Sequence, residues 1–360
     1  MIFAMKMKTI CCMLLAALLL AACNKDDQGE EEIVVKSQPW VTMITSVNGL
    51  GDNGYNDILV NGLYVFHEKT GVPLSVIQPK DMVEAERIYS QWLIDHAYAD
   101  SSVLIVASSA YEKMVSHSTV SLKGSGSRVL LLESQAEIDG VSTFYIKRYG
   151  ASYIAGALMS DRPAYVLAAA PGVPSLEESI RGFRDGHQSS PDHHPSFKVE
   201  YLADGEEGFA MPDSAYHVMA NHIKICATDT NVVFREVVFP LLGSSFVGAM
   251  KAMGDYAFSI AVLVGIDSDR RGQSTCLPYS LVVHADNVIA DYLCQWIEGT
   301  PWPATQSFGL REGTTDILFD MDYKPNSAML FFKYGIIDMQ GLVSKYDLLK
   351  TIAIEKEEKI

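Results

Sequence analysis

The chain has 360 residues, with 28 Lys plus Arg against 44 Asp plus Glu and a net charge of −16 at pH 7. That balance argues against nucleic acid as a partner, because phosphate binding needs a cationic face. The length suits two domains of ordinary size.

The first element is a leader. Lys6 and Lys8 precede an apolar stretch over 9–20 that is too short to span a membrane comfortably, and Leu20-Ala21-Ala22-Cys23 follows. The motif resembles a bacterial lipobox. The resemblance implies cleavage before Cys23, whose thiol takes a diacylglycerol and whose amine is acylated, a palmitate-type modification that anchors the chain to a membrane. Residues 24–32 hold Asp26, Asp27, Glu30, Glu31 and Glu32 and almost nothing to bury, which reads as a solvated tether. Lys25-Asp26-Asp27 also resembles the export signal by which some bacteria of the Bacteroidetes type place lipoproteins on the cell surface; a plain acidic linker stays open beside it. The expected location is the cell envelope, on the periplasmic face or the outer-membrane surface. With Cys11 and Cys12 in the leader and Cys23 lipidated, Cys226, Cys276 and Cys294 remain, an odd number that permits one disulfide and implies no framework.

From Trp40 onward short apolar runs alternate with helical patterns, the signature of βαβ units on parallel sheets. The patterns predict strands over 41–46, 74–78, 103–107, 128–133, 142–145, 163–169, 197–202, 232–239, 261–266 and 280–283, and helices over 56–70, 81–98, 110–115, 150–159, 175–188, 213–224, 244–253 and 286–298. So many strands exceed one sheet of ordinary width, and the character changes near 146–150. The expected fold is α/β: two doubly wound parallel-sheet lobes with a ligand cleft between them. The expected divisions are a signal peptide over 1–22, a tether over 23–39, a first lobe over 40–147 rejoined by roughly 284–314, a second lobe over 148–283 rejoined by roughly 315–345, and an exposed, frayed helical tail over 346–360.

Ligands in such sheets bind at the carboxyl ends of the strands. After the first strand, Gly49, Gly51 and Gly54 allow a sharp turn, while Asp52, Tyr55 and Asn56 offer an acceptor, a ring and an amide suited to a nucleobase or sugar. Comparable turns carry Glu133-Ser134-Gln135, Gly243-Ser244-Ser245-Phe246-Val247-Gly248 and Asp267-Ser268-Asp269-Arg270. Any one of them serves as well as a helix cap. Their recurrence in both lobes points to a site.

These residues resemble the basic membrane protein family of substrate-binding lipoproteins, which includes bacterial purine nucleoside receptors serving ABC importers. The resemblance runs over about 41–320 and rests on Asp52-Asn53-Gly54-Tyr55-Asn56, Leu131-Leu132-Glu133, Gly182-Phe183-Arg184-Asp185-Gly186, Phe209-Ala210-Met211-Pro212-Asp213, Val238-Phe239-Pro240-Leu241-Leu242-Gly243 and Gly265-Ile266-Asp267-Ser268-Asp269. The last two are the most specific. The resemblance implies a type I periplasmic-binding-protein fold, with Tyr55 and Phe209 stacking on a base, Asp52 and Glu133 accepting hydrogen bonds from it, Asn56 orienting it, and Asp267 with backbone near Gly243 holding ribose hydroxyls. Its partners would be a small-molecule ligand, possibly a purine nucleoside, and an ABC permease, with the protein a monomer. Three departures stand out: the family's Gly-Gly-Thr-Gly loop holds Phe246, Glu133 replaces Asp, and the family's strand lysine is Val283 beside His284.

No nucleophile elbow, Walker loop, HExxH or Cys-x-x-Cys pair is present, so the reading is a binding protein rather than an enzyme, with no cofactor and no metal. The pair His193-His194, with Asp192 and His187 nearby, could suggest a metal site, but it lies in a proline-flanked polar turn and reads as a solvated loop. A second reading keeps the scaffold as a surface sensor or interaction module, with the cleft altered or plugged by side chains such as Phe246.

Overall fold

The computed structural model describes residues 39–51, 54–96, 101–117, 127–190, 195–227, 236–256, 261–323 and 337–360. The leader, Cys23 and the tether therefore lie outside the described residues, as do Asp52, Asp192, His193 and His194. Among the described residues no helix is long and apolar enough to cross a membrane.

In chain order the first half runs β1 (Trp40–Ile44), α1 (Tyr55–Thr70), β2 (Leu74–Ile77), α2 (Met82–His96), β3 (Ser102–Val106), α3 (Glu112–His117), β4 (Arg128–Leu132) and β5 (Val141–Ile146). The second continues with α4 (Tyr149–Leu158), β6 (Ala164–Ala168), α5 (Pro174–His187), β7 (Phe197–Tyr201), α6 (Pro212–Ala227), β8 (Val237–Leu241), α7 (Phe246–Asp255), β9 (Val262–Leu263), β10 (Gly265–Asp267) and β11 (Tyr279–Val283). α8 (Ala285–Ile297), β12 (Thr305–Phe308), β13 (Thr315–Phe319) and α9 (Met339–Glu357) complete it.

The first lobe is a six-stranded parallel sheet ordered β12-β5-β4-β3-β1-β2. The second lobe holds a parallel sheet ordered β7-β6-β8-β9 and a three-stranded sheet ordered β10-β11-β13. Burial explains the strand sequences: β3, β6 and β8 are buried along their whole length and carry no charge, whereas edge strand β7 (Phe-Lys-Val-Glu-Tyr) carries charges. Pro240 sits in β8 without breaking it. Val238 accepts a bond from Val264, so by the strand's period of two Pro240 faces the same side, where β9 has already ended.

Three sequence expectations change. The single strand expected over 261–266 is two, because pairing passes at Val264 from β8 in one sheet to β11 in the next. β12 and β13 were not anticipated, and β13 runs antiparallel to β11, so the sheets are not wholly parallel. The expected exposed tail is part of α9, which packs on α4. Leu342, Tyr346, Leu349 and Ala353 form an apolar stripe at helical spacing, and Ala353 and Glu357 are buried; the abundant Lys and Glu on the other face hide that stripe in a compositional reading.

Glycines set how closely helices approach. A Cβ on Gly156 would stand 2.1 Å from the carbonyl oxygen of Phe183, and one on Gly186 would stand 1.9 Å from that of Tyr153. Thus the Gly182-to-Gly186 motif is the contact surface by which α5 lies directly on α4.

Candidate functional site

After β1 the chain turns through Gly49, whose φ of +89° suits glycine. Asn56 holds this turn: its amide nitrogen donates to Ser46 Oγ at 2.8 Å and to the Gly49 carbonyl at 2.6 Å. Both amide N–H groups are thereby used, and what Asn56 can offer a ligand is its oxygen. Asp57 takes the Gly51 N–H at 2.8 Å, fixing the same loop from its far side.

Glu133, immediately after β4, faces Tyr55 and Arg148. The Tyr55 hydroxyl donates to Glu133 Oε1. The Arg148 guanidinium donates to both Glu133 oxygens at 2.8 and 2.9 Å and to the Ile146 carbonyl at 2.7 Å, and lies 5.4 Å from the centre of the Tyr55 ring. The side chains of Arg148 and Glu133 are 11% and 9% exposed, so this is a buried, two-pronged ion pair. Burial and then Glu133 push the Tyr55 hydroxyl well above its ordinary range, keeping it a donor. Burial opposes the Arg148 charge, but Glu133 more than offsets it and holds the guanidinium protonated.

The second lobe contributes a loop and a turn. Gly243 adopts φ +53°, and a Cβ there would lie 3.0 Å from the Phe209 ring. Ser244 donates to the Phe209 carbonyl at 2.6 Å; Ser245 donates to that of Gly208 at 2.7 Å and accepts the Met211 N–H at 2.6 Å. The two serines therefore fasten the Phe209 loop to the end of β8. Phe246 points away from this surface. It is 2% exposed, packed in the second-lobe core with Arg270 4.8 Å from its ring centre, and does not line the cavity. The expectation of a Phe246 plug is corrected: the turn Gly243–Ser245 swings the ring inward.

Between these surfaces lies a cavity of about 140 Å³, lined by Tyr55, Asn56, Glu133 and Arg148 on one side and Phe209, Gly243 and Asp267 on the other. Ser46, Ser108, Ser109, Ser175, Ser179 and Ser244 add hydroxyls. Among the described residues only two other than glycine have positive φ, Glu133 at 61° and Asp267 at 66°. Such backbone costs on the order of 1–3 kcal/mol and collects at ligand clamps. Here one strained carboxylate-bearing residue closes a strand in each lobe.

The structure thus brings six of the seven residues expected from sequence onto one cavity, while Asp52 lies outside the described residues. Arg148 was missed. Its signal is Lys147-Arg148 at the end of β5, next to the strand that ends in Glu133; reading 146–150 only as a lobe boundary conceals it. Glu206, in the short helix Glu206–Ala210, was missed as well, and burial raises its carboxyl above the ordinary value.

Across this architecture the protein has the type I periplasmic-binding-protein fold. No family model matches the sequence, and no curated protein matches it by sequence. Solved structures match it in fold. An ABC transporter solute-binding protein from Aeropyrum pernix K1 superposes with a TM-score of 0.69 at 16% identity, over 89% of this chain and 90% of that one. A transcriptional activator of the comK gene from Bacillus halodurans gives 0.60 at 15%, over 86% and 97%. The periplasmic component of an ABC-type sugar transport system from Hahella chejuensis gives 0.57 at 16%, over 78% and 99%. At these identities the likeness is one of fold.

Proposed function

We propose that this is a lipid-anchored substrate-binding protein of the cell envelope that captures a small, uncharged, ring-bearing ligand, a nucleoside, and delivers it to an ABC permease. The observation that carries the reading is the meeting, in one cavity between the lobes, of two aromatic rings, an internally neutralised Glu133–Arg148 pair and Asp267. Among the described residues the one cation lining the cavity is Arg148, already matched by Glu133, which disfavours a phosphate or carboxylate. Tyr55 and Phe209 offer faces for a base, worth about 1–3 kcal/mol each when stacked. Asp267 and the serines suit ribose hydroxyls. The solute-binding proteins sharing the fold, and the family resemblance of the strand-end motifs, support the same class of function.

A second reading, a free monosaccharide, is favoured by the cavity's six serines and by its volume of about 140 Å³, on the order of ten water positions. The test is isothermal titration of the full chain in detergent, unfolded and refolded to strip co-purified ligand, against nucleosides and monosaccharides. Micromolar or tighter nucleoside binding that is lost in Asp267→Ala supports the proposal. Sugar binding alone moves it to the second reading, and silence across both panels from folded protein sinks both.

A further inference from the structure

Far from the ligand cavity, three side chains of different chemistry converge. His222 and Cys226 are four residues apart on α6, hence on one helix face, and Glu236 directly precedes β8. His222 Nε2 lies 2.6 Å from Glu236 Oε2, Cys226 Sγ lies 3.8 Å from the same nitrogen, and Sγ lies 3.9 Å from Glu236 Oε1. One ligating atom from each residue falls within 4.8 Å of the other two. The imidazole is held in place, since the buried Tyr165 ring stacks on it with centroids 3.7 Å apart and planes at 11°. Lys198, paired with Glu200 at 2.7 Å on β7, lies 5.1 Å from the centre of the same Tyr165 ring.

We propose that His222, Cys226 and Glu236 form a binding site for a divalent transition-metal ion of the zinc class. Ordinary Zn–N, Zn–O and Zn–S bonds in a tetrahedron put neighbouring ligand atoms about 3.3–3.6 Å apart. The observed separations bracket that range, and movements of under about 1 Å, reachable by side-chain rotation, bring them into it. The donor set selects the ion: imidazole and thiolate suit zinc and its neighbours and disfavour calcium and magnesium. Three protein ligands leave the fourth position for water or another donor. A salt bridge accounts for His222 and Glu236 by themselves; it does not account for a thiol one helical turn along whose sulfur faces both.

The site is remote from the cavity. α6 starts beside the Phe209 loop, and at 1.5 Å per residue His222 and Cys226 lie about 15–20 Å along it. Likewise Glu236 adjoins the start of β8, while Leu241 at its other end lines the cavity. Metal binding here ties the end of α6 to the start of β8 and does not require the transport reading.

The test is titration of the full chain, stripped with a chelator, with Co(II) followed by competition with Zn(II). The expected result is one equivalent of Co(II) showing a thiolate charge-transfer band and tetrahedral d–d absorption, both abolished by Zn(II). Cys226→Ser removes the charge-transfer band, whereas Cys276→Ser and Cys294→Ser keep it. Glu236→Gln, which preserves volume, weakens Zn(II) binding by more than the roughly 10–100-fold typical of losing an outer-shell partner. Absence of the band in folded wild-type protein overturns the proposal, as does a band that survives Cys226→Ser.

Discussion

On the first lobe, Glu133 reaches the cavity with the Arg148 guanidinium and the Tyr55 hydroxyl attached to it; on the second, Phe209 and Gly243 reach it on two loops joined by the hydroxyls of Ser244 and Ser245. The clasp on the first wall is a buried ion pair, and the clasp that fastens the Phe209 loop is made of neutral hydroxyl hydrogen bonds. Both carry the same local device, a carboxylate on left-handed backbone at a strand end, Glu133 in one and Asp267 in the other. The difference lies in what surrounds the device. A buried ion pair fails badly when halved, whereas a hydroxyl clasp fails by a fixed increment that salt does not change.

The largest expected effect follows on the charged wall. Arg148→Ala leaves Glu133 buried beside Tyr55 without its cation and should cost about 3–5 kcal/mol, read as a lower urea midpoint with an unchanged slope. Pairing Arg148→Met with Glu133→Gln removes both charges and should recover most of that stability, while ligand affinity stays lost. If the single variant unfolds at the wild-type midpoint, the pair does not hold the wall.

The neutral wall should respond less. Ser245→Ala orphans the Met211 N–H and the Gly208 carbonyl and should cost about 1–3 kcal/mol. Urea midpoints at low and high salt should show the same loss, unlike the Arg148 variant. Gly243→Ala forces a Cβ onto left-handed backbone, at roughly 1–2 kcal/mol, and pushes at the Phe209 ring. Asn, which tolerates that backbone better, should be milder at the same position. Weaker ligand binding in both variants, beyond the stability loss, would tie the Phe209 ring to recognition.

The contrast also explains what sequence could reveal. Alternating apolar runs and helical stripes report burial directly, so most strands and helices stood within a few residues of their observed bounds. Strand-end residues are equally visible, because parallel pairing sends the carboxyl ends of neighbouring strands to one side; this brought Glu133, Gly243 and Asp267 into view. What was hidden depends on pairing across the fold. Arg148 matters only because β5 lies next to β4, and the placement of Phe246 depends on a turn after Gly243 that no periodicity encodes. β12 is short and partly exposed, so its sequence Thr-Gln-Ser-Phe carries little pattern. The stripe of α9 was buried in a charged composition, and Glu357 shows the cost of overlooking it. That carboxylate accepts the N–H groups of Gly150 at 2.7 Å and Leu310 at 2.9 Å, next to two of the segments where the chain passes between lobes.

The smallest expected effect separates the walls by pH. Glu206 lines the second wall, and burial raises its carboxyl above the ordinary value. The folded state therefore holds the proton more tightly than the unfolded chain, whose value is about 4.3. With a raised folded value, the favourable contribution is complete below the unfolded value and lost as pH rises through the folded one. Glu206→Gln removes a group that resists ionisation, so its midpoint should match wild type in acid and exceed it increasingly toward neutrality. Urea midpoints of both proteins at several pH values between about 4 and 7 measure the difference. A variant that loses ground as pH rises would mean that Glu206 is matched by a cation when ionised, and that the second wall, like the first, is held by charge.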